Sequence, residues 1–191
     1  MTTLFDKVIA IEEALDRAEV PHAFGGAIAL GFHIVEPRAT ADIDVNVFVP
    51  AVRARALFDV LPGEIAWDDA DLLAVETDGQ VRLFWDDTPV DLFFATHTFH
   101  RHSGERVEEV SFDGVTIPVL GATELTVFKA FFDRTKDWGD IEAMIDAGTV
   151  DIHAALGWLV DLLGGDDHRV DRLRRLLDRK PPATEPRFMR D

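Results

Sequence analysis

The sequence predicts an α/β fold, in which a mixed sheet is flanked by helices and followed by a helical C-terminal part. Three patterns lead to this prediction. Over residues 42–49, the apolar residues Ile43, Val45, Val47 and Val49 fall on one face of a strand and Asp42, Asp44 and Asn46 on the other, which is typical of a strand with one buried face. Asp113-Gly114 separates two apolar stretches, a strong short-range signal for a β-hairpin. From Thr123 onward, apolar residues recur at helical spacing.

Prolines and glycines divide the first part of the chain. Pro21 and Pro50 end predicted elements because proline cannot continue a helix or donate to a sheet. The expected elements are a helix over 4–20, a short apolar strand over 20–24, a helix over 27–32, the strand over 42–49 and a helix over 51–61.

The rest of the chain predicts two strand pairs and then helices. The expected elements are strands over 81–85, 90–94, 107–112 and 115–120, and helices over 123–132 and 141–145, then one capped by Asp151 and one capped by Asp166 or Asp167. We therefore expect a core over residues 1–121 and a helical part over 122–191 packed on it. Pro181-Pro182 predicts a frayed tail from about residue 181.

Composition excludes several classes of site. The chain has 191 residues and no cysteine, which excludes disulfides, thiolate metal sites and a cysteine nucleophile. The net charge of −17 repels phosphate backbones and argues against broad nucleic-acid binding. No apolar run is long enough to span a bilayer, and no basic leader precedes the first helix. We expect a cytoplasmic protein without a membrane span.

Two short motifs carry candidate chemistry. Gly25-Gly26 lies between a predicted strand and a predicted helix, where free backbone N–H groups can bind phosphate. A plain turn is the alternative. Asp42 and Asp44 point to the same side of a strand, and a divalent cation between them relieves their repulsion. The alternative is a solvated strand face.

Asp91 is a third acidic candidate, because it lies inside the apolar run 89–94. A buried aspartate is rarely left unpaired. If its strand lies beside the strand of Asp42 and Asp44, three carboxylates meet, as two-metal phosphoryl transfer requires.

These motifs together resemble the nucleotidyltransferase superfamily of the polymerase-β type. Gly25-Gly26, fifteen further residues and then Asp42-Ile43-Asp44 carry the likeness, with a later strand aspartate. The amino-acid sequence of residues 22–30 and 37–44 is similar to that of AbiEii-type and MenT-type nucleotidyltransferase toxins. Residues 128–141 resemble the helix motif of those proteins, a lysine followed by Arg/Lys-Asp-x-x-Asp.

The resemblance implies a nucleotidyltransferase fold and a set of site residues. Asp42, Asp44 and Asp91 would hold Mg²⁺ or Mn²⁺, and Asp91 would accept the proton of the acceptor hydroxyl. Gly25, Gly26 and Lys129 would bind the phosphates of a nucleoside triphosphate (NTP), and Asp140 matches the final acid of the helix motif. Thr40 matches a position that an antitoxin phosphorylates in some MenT-type toxins. The remaining candidates for the nucleotide site are Arg38, Arg134, Lys136 and Asp137.

The implied function is metal-dependent transfer of a nucleoside monophosphate (NMP) to a hydroxyl of tRNA or protein, as the toxin of a toxin–antitoxin pair. Three alternatives remain: a non-catalytic regulator or antitoxin-like member, a drug-modifying nucleotidyltransferase, and a histidine-ligated phosphohydrolase. The last would use His97, His100 and His102, for which a surface loop is the simpler interpretation. Likewise, Arg134 and Lys136 have the simpler interpretation of surface ion pairs.

Overall fold

A computed structural model describes residues 2–177 of the protein. The strands are β1 (His22–Phe24), β2 (Ile43–Val47), β3 (Ile65–Ala66), β4 (Gln80–Trp85), β5 (Thr88–Phe94), β6 (Val107–Phe112) and β7 (Val115–Leu120). The α-helices are α1 (Leu4–Arg17), α2 (Gly26–His33), α3 (Ala54–Phe58), α4 (Asp69–Asp78), α5 (Thr98–Ser103), α6 (Ala122–Phe132), α7 (Thr135–Ala147), α8 (Ile152–Leu163) and α9 (His168–Leu177). Within these residues, no helix has both the length and the hydropathy needed to cross a membrane.

The strands form one mixed sheet in the order β3-β4-β5-β2-β1-β7-β6. β2 pairs parallel with β5 and antiparallel with β1, and β1 pairs parallel with β7. On β2, the side chains of Ile43, Val45 and Val47 are fully buried. Because side chains alternate along a strand, Asp44 and Asn46 lie together on the other face of the sheet. The predicted fold class, a mixed sheet flanked by helices, is confirmed.

The helices after the sheet pack as one group. α6 contacts α2 of the sheet region and also α7, α8 and α9. It carries Leu125, Val127 and Ala130 into the core. The division into a core over 1–121 and a helical part over 122–191 stays a prediction, and the expected frayed tail from residue 181 lies outside the described residues.

The hairpin β6–β7 has the predicted bounds, whereas several helices differ from prediction. α1 ends at Arg17 instead of continuing to residue 20. The helix expected over 51–61 is a 3₁₀ turn at Ala51–Arg53 followed by α3. α7 begins at Thr135, six residues before the expected 141. The prediction missed its first turn because that turn has no apolar period.

Two helices were not predicted. α4 buries only Val75, so it has almost no apolar period. Its signal was the capping box, in which the Asp68 carboxylate accepts from the backbone N–H groups of Ala70 and Asp71. The loop expected around His97, His100 and His102 is wrong, because residues 98–103 form α5 and Phe99 anchors this helix in the core.

His100 is a buried histidine in this helix. Its ring contacts Phe48 and Phe128 edge-on, and its Nε2 has no hydrogen-bond partner among the described residues. Burial lowers the pKa of His100 from 6.5 to about 4; a hydrogen bond with the Phe94 backbone opposes this shift, and the charge of His97 adds to it. The folded protein therefore keeps His100 neutral at neutral pH.

We expect His100 to make stability fall as pH drops from 6.5 toward 4. In this window the unfolded chain binds a proton that the folded chain does not, so the free energy of unfolding rises with pH by up to about 1.4 kcal/mol per unit. His100→Asn, compared with the exposed control His153→Asn, should flatten this slope in urea melts across the window. Equal slopes for wild type and His100→Asn would contradict the assignment.

Candidate active site

The parallel pairing of β2 and β5 brings two predicted site residues together. Asp44 is the register partner of Asp91, so their backbones are about 4.8 Å apart and their side chains leave the same face of the sheet. Asp42 precedes β2 and shares this face. The sequence predicted the candidates, and the sheet register places Asp91 beside Asp44.

The three aspartates have different electrostatic environments. Burial raises the pKa of Asp44 to about 6, and the negative charges of Asp42 and Asp91 contribute to this shift. Burial also acts on Asp42, but the hydroxyl of Thr40 donates to the Asp42 carboxylate and holds its pKa below the ordinary value. Asp44 is thus the carboxylate that a nearby cation would stabilise most.

Asp91 is already paired with a cation. Arg82 on the neighbouring strand β4 is its register partner, and Nε and Nη2 of Arg82 donate to the two Asp91 oxygens at 2.7 Å each. Such a bidentate pair fixes the carboxylate plane. We did not identify Arg82 from the sequence; its signal was the alternation of β4, in which Arg82 is the charged residue among the exposed positions.

The glycine pair brings the N-terminus of α2 against Asp44. Gly26 has a φ of +52°, and a Cβ at this position would overlap the Asp44 carboxylate. No side chain caps the N-terminus of α2, so N–H groups of its first turn lack intrahelical acceptors. The phosphate role predicted for the Gly25 N–H needs correction, because this group donates to the Asp44 carbonyl at 2.8 Å.

Lys129 and Asp140 belong to a network of charges behind the carboxylates. Lys129 Nζ lies 2.7 Å from Asp140 Oδ2 and 3.7 Å from Asp137 Oδ1. Arg38 reaches Asp140 at 3.1 Å, and Arg134 donates to the fully buried Asp137 at 2.7 Å. Burial raises the pKa of Asp140, but hydrogen bonds from Arg38 and Lys129 outweigh it and hold the pKa below its ordinary value.

The predicted site residues divide between the wall of a cavity and its surroundings. The cavity has a volume of about 570 Å³, and its wall includes Gly26, Asp44, Asp91, Lys129 and Arg134. We call it the carboxylate cavity. The other predicted residues do not line it: Gly25, Arg38, Thr40, Asp42, Lys136, Asp137 and Asp140. Asp137 and Asp140 instead pair with Lys129 and Arg134, which do line it.

His97, His100 and His102 do not come together at one site. His100 is buried beside Phe128, whereas His102 packs on the Trp158 ring with centroids 4.7 Å apart. Over residues 2–177, no three histidine, aspartate or glutamate side chains form a ready metal site. The three predicted aspartates do not form such a site either, and both oxygens of Asp91 face Arg82.

Comparison with known proteins gives matches to solved structures alone. No family model and no curated protein matches the chain. A crystal structure of ANT(2'')-Ia in complex with adenylyl-2''-tobramycin has a TM-score of 0.53 at 16% identity, over 92% of this chain and 97% of that one. The lincomycin-bound lincosamide antibiotic adenylyltransferase LnuA has a TM-score of 0.50 at 13% identity, over 76% and 98%.

A third structure, an antigenic nucleotidyltransferase-like protein from Paracoccidioides brasiliensis, has a TM-score of 0.50 at 13% identity, over 90% of this chain and 86% of that one. This chain has the nucleotidyltransferase fold. At these identities the likeness establishes the fold alone. The narrower resemblance to AbiEii-type and MenT-type toxins stays a prediction.

The contact between Gly26 and Asp44 is testable by stability. Gly26→Ala should lower the free energy of unfolding by at least about 1–2 kcal/mol, because alanine is strained at positive φ and its methyl group meets the carboxylate. Gly31→Ala in the same helix is the control, because its Cβ would lie 3.7 Å from Pro37 Cβ, an ordinary contact. Equal stability of the two variants in urea melts would contradict the described packing.

Proposed function

We propose that this protein transfers an NMP from an NTP to a hydroxyl group of an acceptor. The observation that carries this proposal is the register pairing of Asp44 with Asp91 beside the uncapped N-terminus of α2. That arrangement puts two carboxylates and Gly26, the first residue of the uncapped helix, on one cavity wall, which suits a metal-bound triphosphate.

The reaction forms a bond between the acceptor oxygen and the α-phosphorus. The bond from the α-phosphorus to the bridging oxygen breaks, and pyrophosphate leaves with the electron pair. In this proposal Asp91 takes the hydroxyl proton after its carboxylate is released from Arg82, a residue of the same cavity wall. Most of the catalytic effect then comes from positioning and charge stabilisation.

A divalent metal fits the donor set around Asp44. Burial and the charges of Asp42 and Asp91 raise the pKa of Asp44, and a bound cation would offset both effects. The absence of a Cβ at Gly26 lets this carboxylate lie against the N-terminus of α2. Asp42 and Asp44 would hold Mg²⁺ or Mn²⁺, with Asp91 joining them. Such an ion, when bound, neutralises phosphate charge and polarises the α-phosphate.

Three features of the chain suit the phosphates. The first turn of α2 offers N–H groups beside Asp44. Lys129 and Arg134 line the same cavity. Asp140 and Asp137 hold these cations in place at 2.7 Å. In a protein of net charge −17, Lys129 and Arg134 are cations that the triphosphate can contact on this wall.

The acceptor is best explained as a small molecule. A net charge of −17 opposes binding of an RNA backbone, and the carboxylate cavity has room for a compact substrate. Two structural neighbours are named for antibiotic complexes or antibiotic adenylyl transfer. The tRNA or protein acceptor, the antitoxin partner and the toxin role implied by the resemblance are outcomes to test.

Labelled nucleotides test the transfer. Purified protein with Mg²⁺ and each α-³²P NTP is offered tobramycin, lincomycin or total RNA. We expect label on a small molecule, and a loss of about a hundredfold or more in Asp44→Asn, because a lost metal ligand removes several kcal/mol of charge stabilisation. Asp87→Asn, at an exposed turn position, is the matched control and should keep its activity.

The other outcomes of this experiment are equally informative. Label on RNA that disappears in Asp44→Asn would support the transferase chemistry and redirect the acceptor to RNA. NTP binding without any labelled product across a wider set of hydroxyl compounds would contradict the transferase proposal. In that case a nucleotide-binding regulator would explain the site.

A further inference from the structure

A second cavity of about 240 Å³ adjoins the carboxylate cavity. We call it the aromatic pocket, and its defining residues are Phe93, Phe99, His100, Phe128, Phe131 and Phe132. The rings pack closely, with centroid separations of 5.1 Å for Phe99–Phe128 and 5.8 Å for Phe93–Phe132. Phe131 and Phe132 remain 37% and 38% exposed, so these two rings border solvent.

The two cavities share part of their walls. The shared residues are Asp78, Gln80, Phe93, Phe128 and Phe132. Phe93 follows Asp91 by two positions on β5, so both side chains leave the same face of the sheet about 7 Å apart. A molecule with a hydroxyl at Asp91 therefore extends directly onto Phe93 and Phe132.

Asp78 adds a carboxylate to the shared wall. It is exposed to solvent, and it is the last residue of α4, whose last turn contains no basic residue. A carboxylate at a helix C-terminus is unfavourable, because that end of the helix dipole is negative. An ammonium group on a ligand would offset this charge through an exposed ion pair.

His100 adds a polar group to the apolar wall. It is only 5% exposed, and its Nε2 has no partner among residues 2–177. A buried polar atom without a hydrogen bond is unfavourable. The aromatic pocket thus combines rings for an apolar body with a buried polar atom that lacks a partner and a carboxylate at its exposed edge.

We propose that the aromatic pocket binds the acceptor, and that the acceptor is a small amino alcohol with an aromatic or cyclic apolar body. Its hydroxyl faces Asp91, its ammonium faces Asp78, and its ring packs against Phe93 and Phe132, whose rings contact each other. This inference rests on the proposed nucleotidyl transfer and names the acceptor class for that site.

Three probe molecules test the three parts of this proposal on the full chain. Phenylalaninol carries the ring, the hydroxyl and the ammonium; 3-phenylpropan-1-ol lacks the ammonium, and ethanolamine lacks the ring. Titrations followed by ¹H–¹⁵N NMR should show phenylalaninol binding about fivefold more tightly than 3-phenylpropan-1-ol, as expected for one exposed ion pair. Ethanolamine should bind at least about tenfold more weakly than phenylalaninol, because it buries no ring.

Matched variants locate the binding. Phe132→Ala should weaken both ring-bearing probes about tenfold, whereas Phe5→Ala, which alters another exposed ring, should not. Asp78→Asn should remove the advantage of phenylalaninol over 3-phenylpropan-1-ol. The control is Asp113→Asn in the β6–β7 turn, where asparagine tolerates the φ of +48°. Unchanged affinities in Phe132→Ala and Asp78→Asn would overturn the proposal.

Mg·ATP, titrated with phenylalaninol already bound, separates an acceptor pocket from a nucleobase pocket. We expect both molecules to bind together. Mutual exclusion would overturn the proposal by assigning the rings to the nucleobase. If labelled transfer occurs but no probe binds, the acceptor lies elsewhere and the transferase proposal stands. If the probes bind as predicted but NTP does not, the transferase proposal fails while the pocket remains.

Discussion

The parallel pairing of β2 with β5 is the constraint on which the site depends. This register sets Asp44 opposite Asp91 and keeps their apolar neighbours on the buried face. A slip of one residue would send every side chain of the strand to the wrong face. The same register is therefore required for packing the core and for placing the carboxylates. The N-terminus of α2 then follows β1, the other neighbour of β2, and reaches Asp44 through Gly26.

Fixed cations make this carboxylate cluster compatible with a folded, strongly acidic chain. Arg82 neutralises Asp91, and Lys129 and Arg134 face the same cavity. A buried charge that loses its partner destabilises the fold, so Lys129 needs Asp140 and Arg134 is paired with Asp137. Asp140 and Asp137 therefore fix the positions of Lys129 and Arg134 on the cavity wall.

Much of the site could be predicted from local patterns. The alternation of residues 42–49 placed Asp42 and Asp44 on one face, and Asp113-Gly114 located its hairpin without error. What local patterns could not give was register: Arg82 opposite Asp91 and Arg38 beside Asp140 join residues distant in sequence. α4 escaped prediction because a helix that buries only Val75 has no clear apolar period. α5 escaped it because six residues are too few to show one.

The proposed transfer requires that the Asp42–Asp44 face bind metal and triphosphate together. A crystal structure with Mn²⁺ and a non-hydrolysable NTP analogue, with manganese located by its anomalous scattering, is the decisive measurement. We expect manganese coordinated by Asp42 and Asp44, phosphates at the first turn of α2, and Asp91 turned away from Arg82. Manganese bound elsewhere, or a triphosphate remote from α2, would refute the proposal.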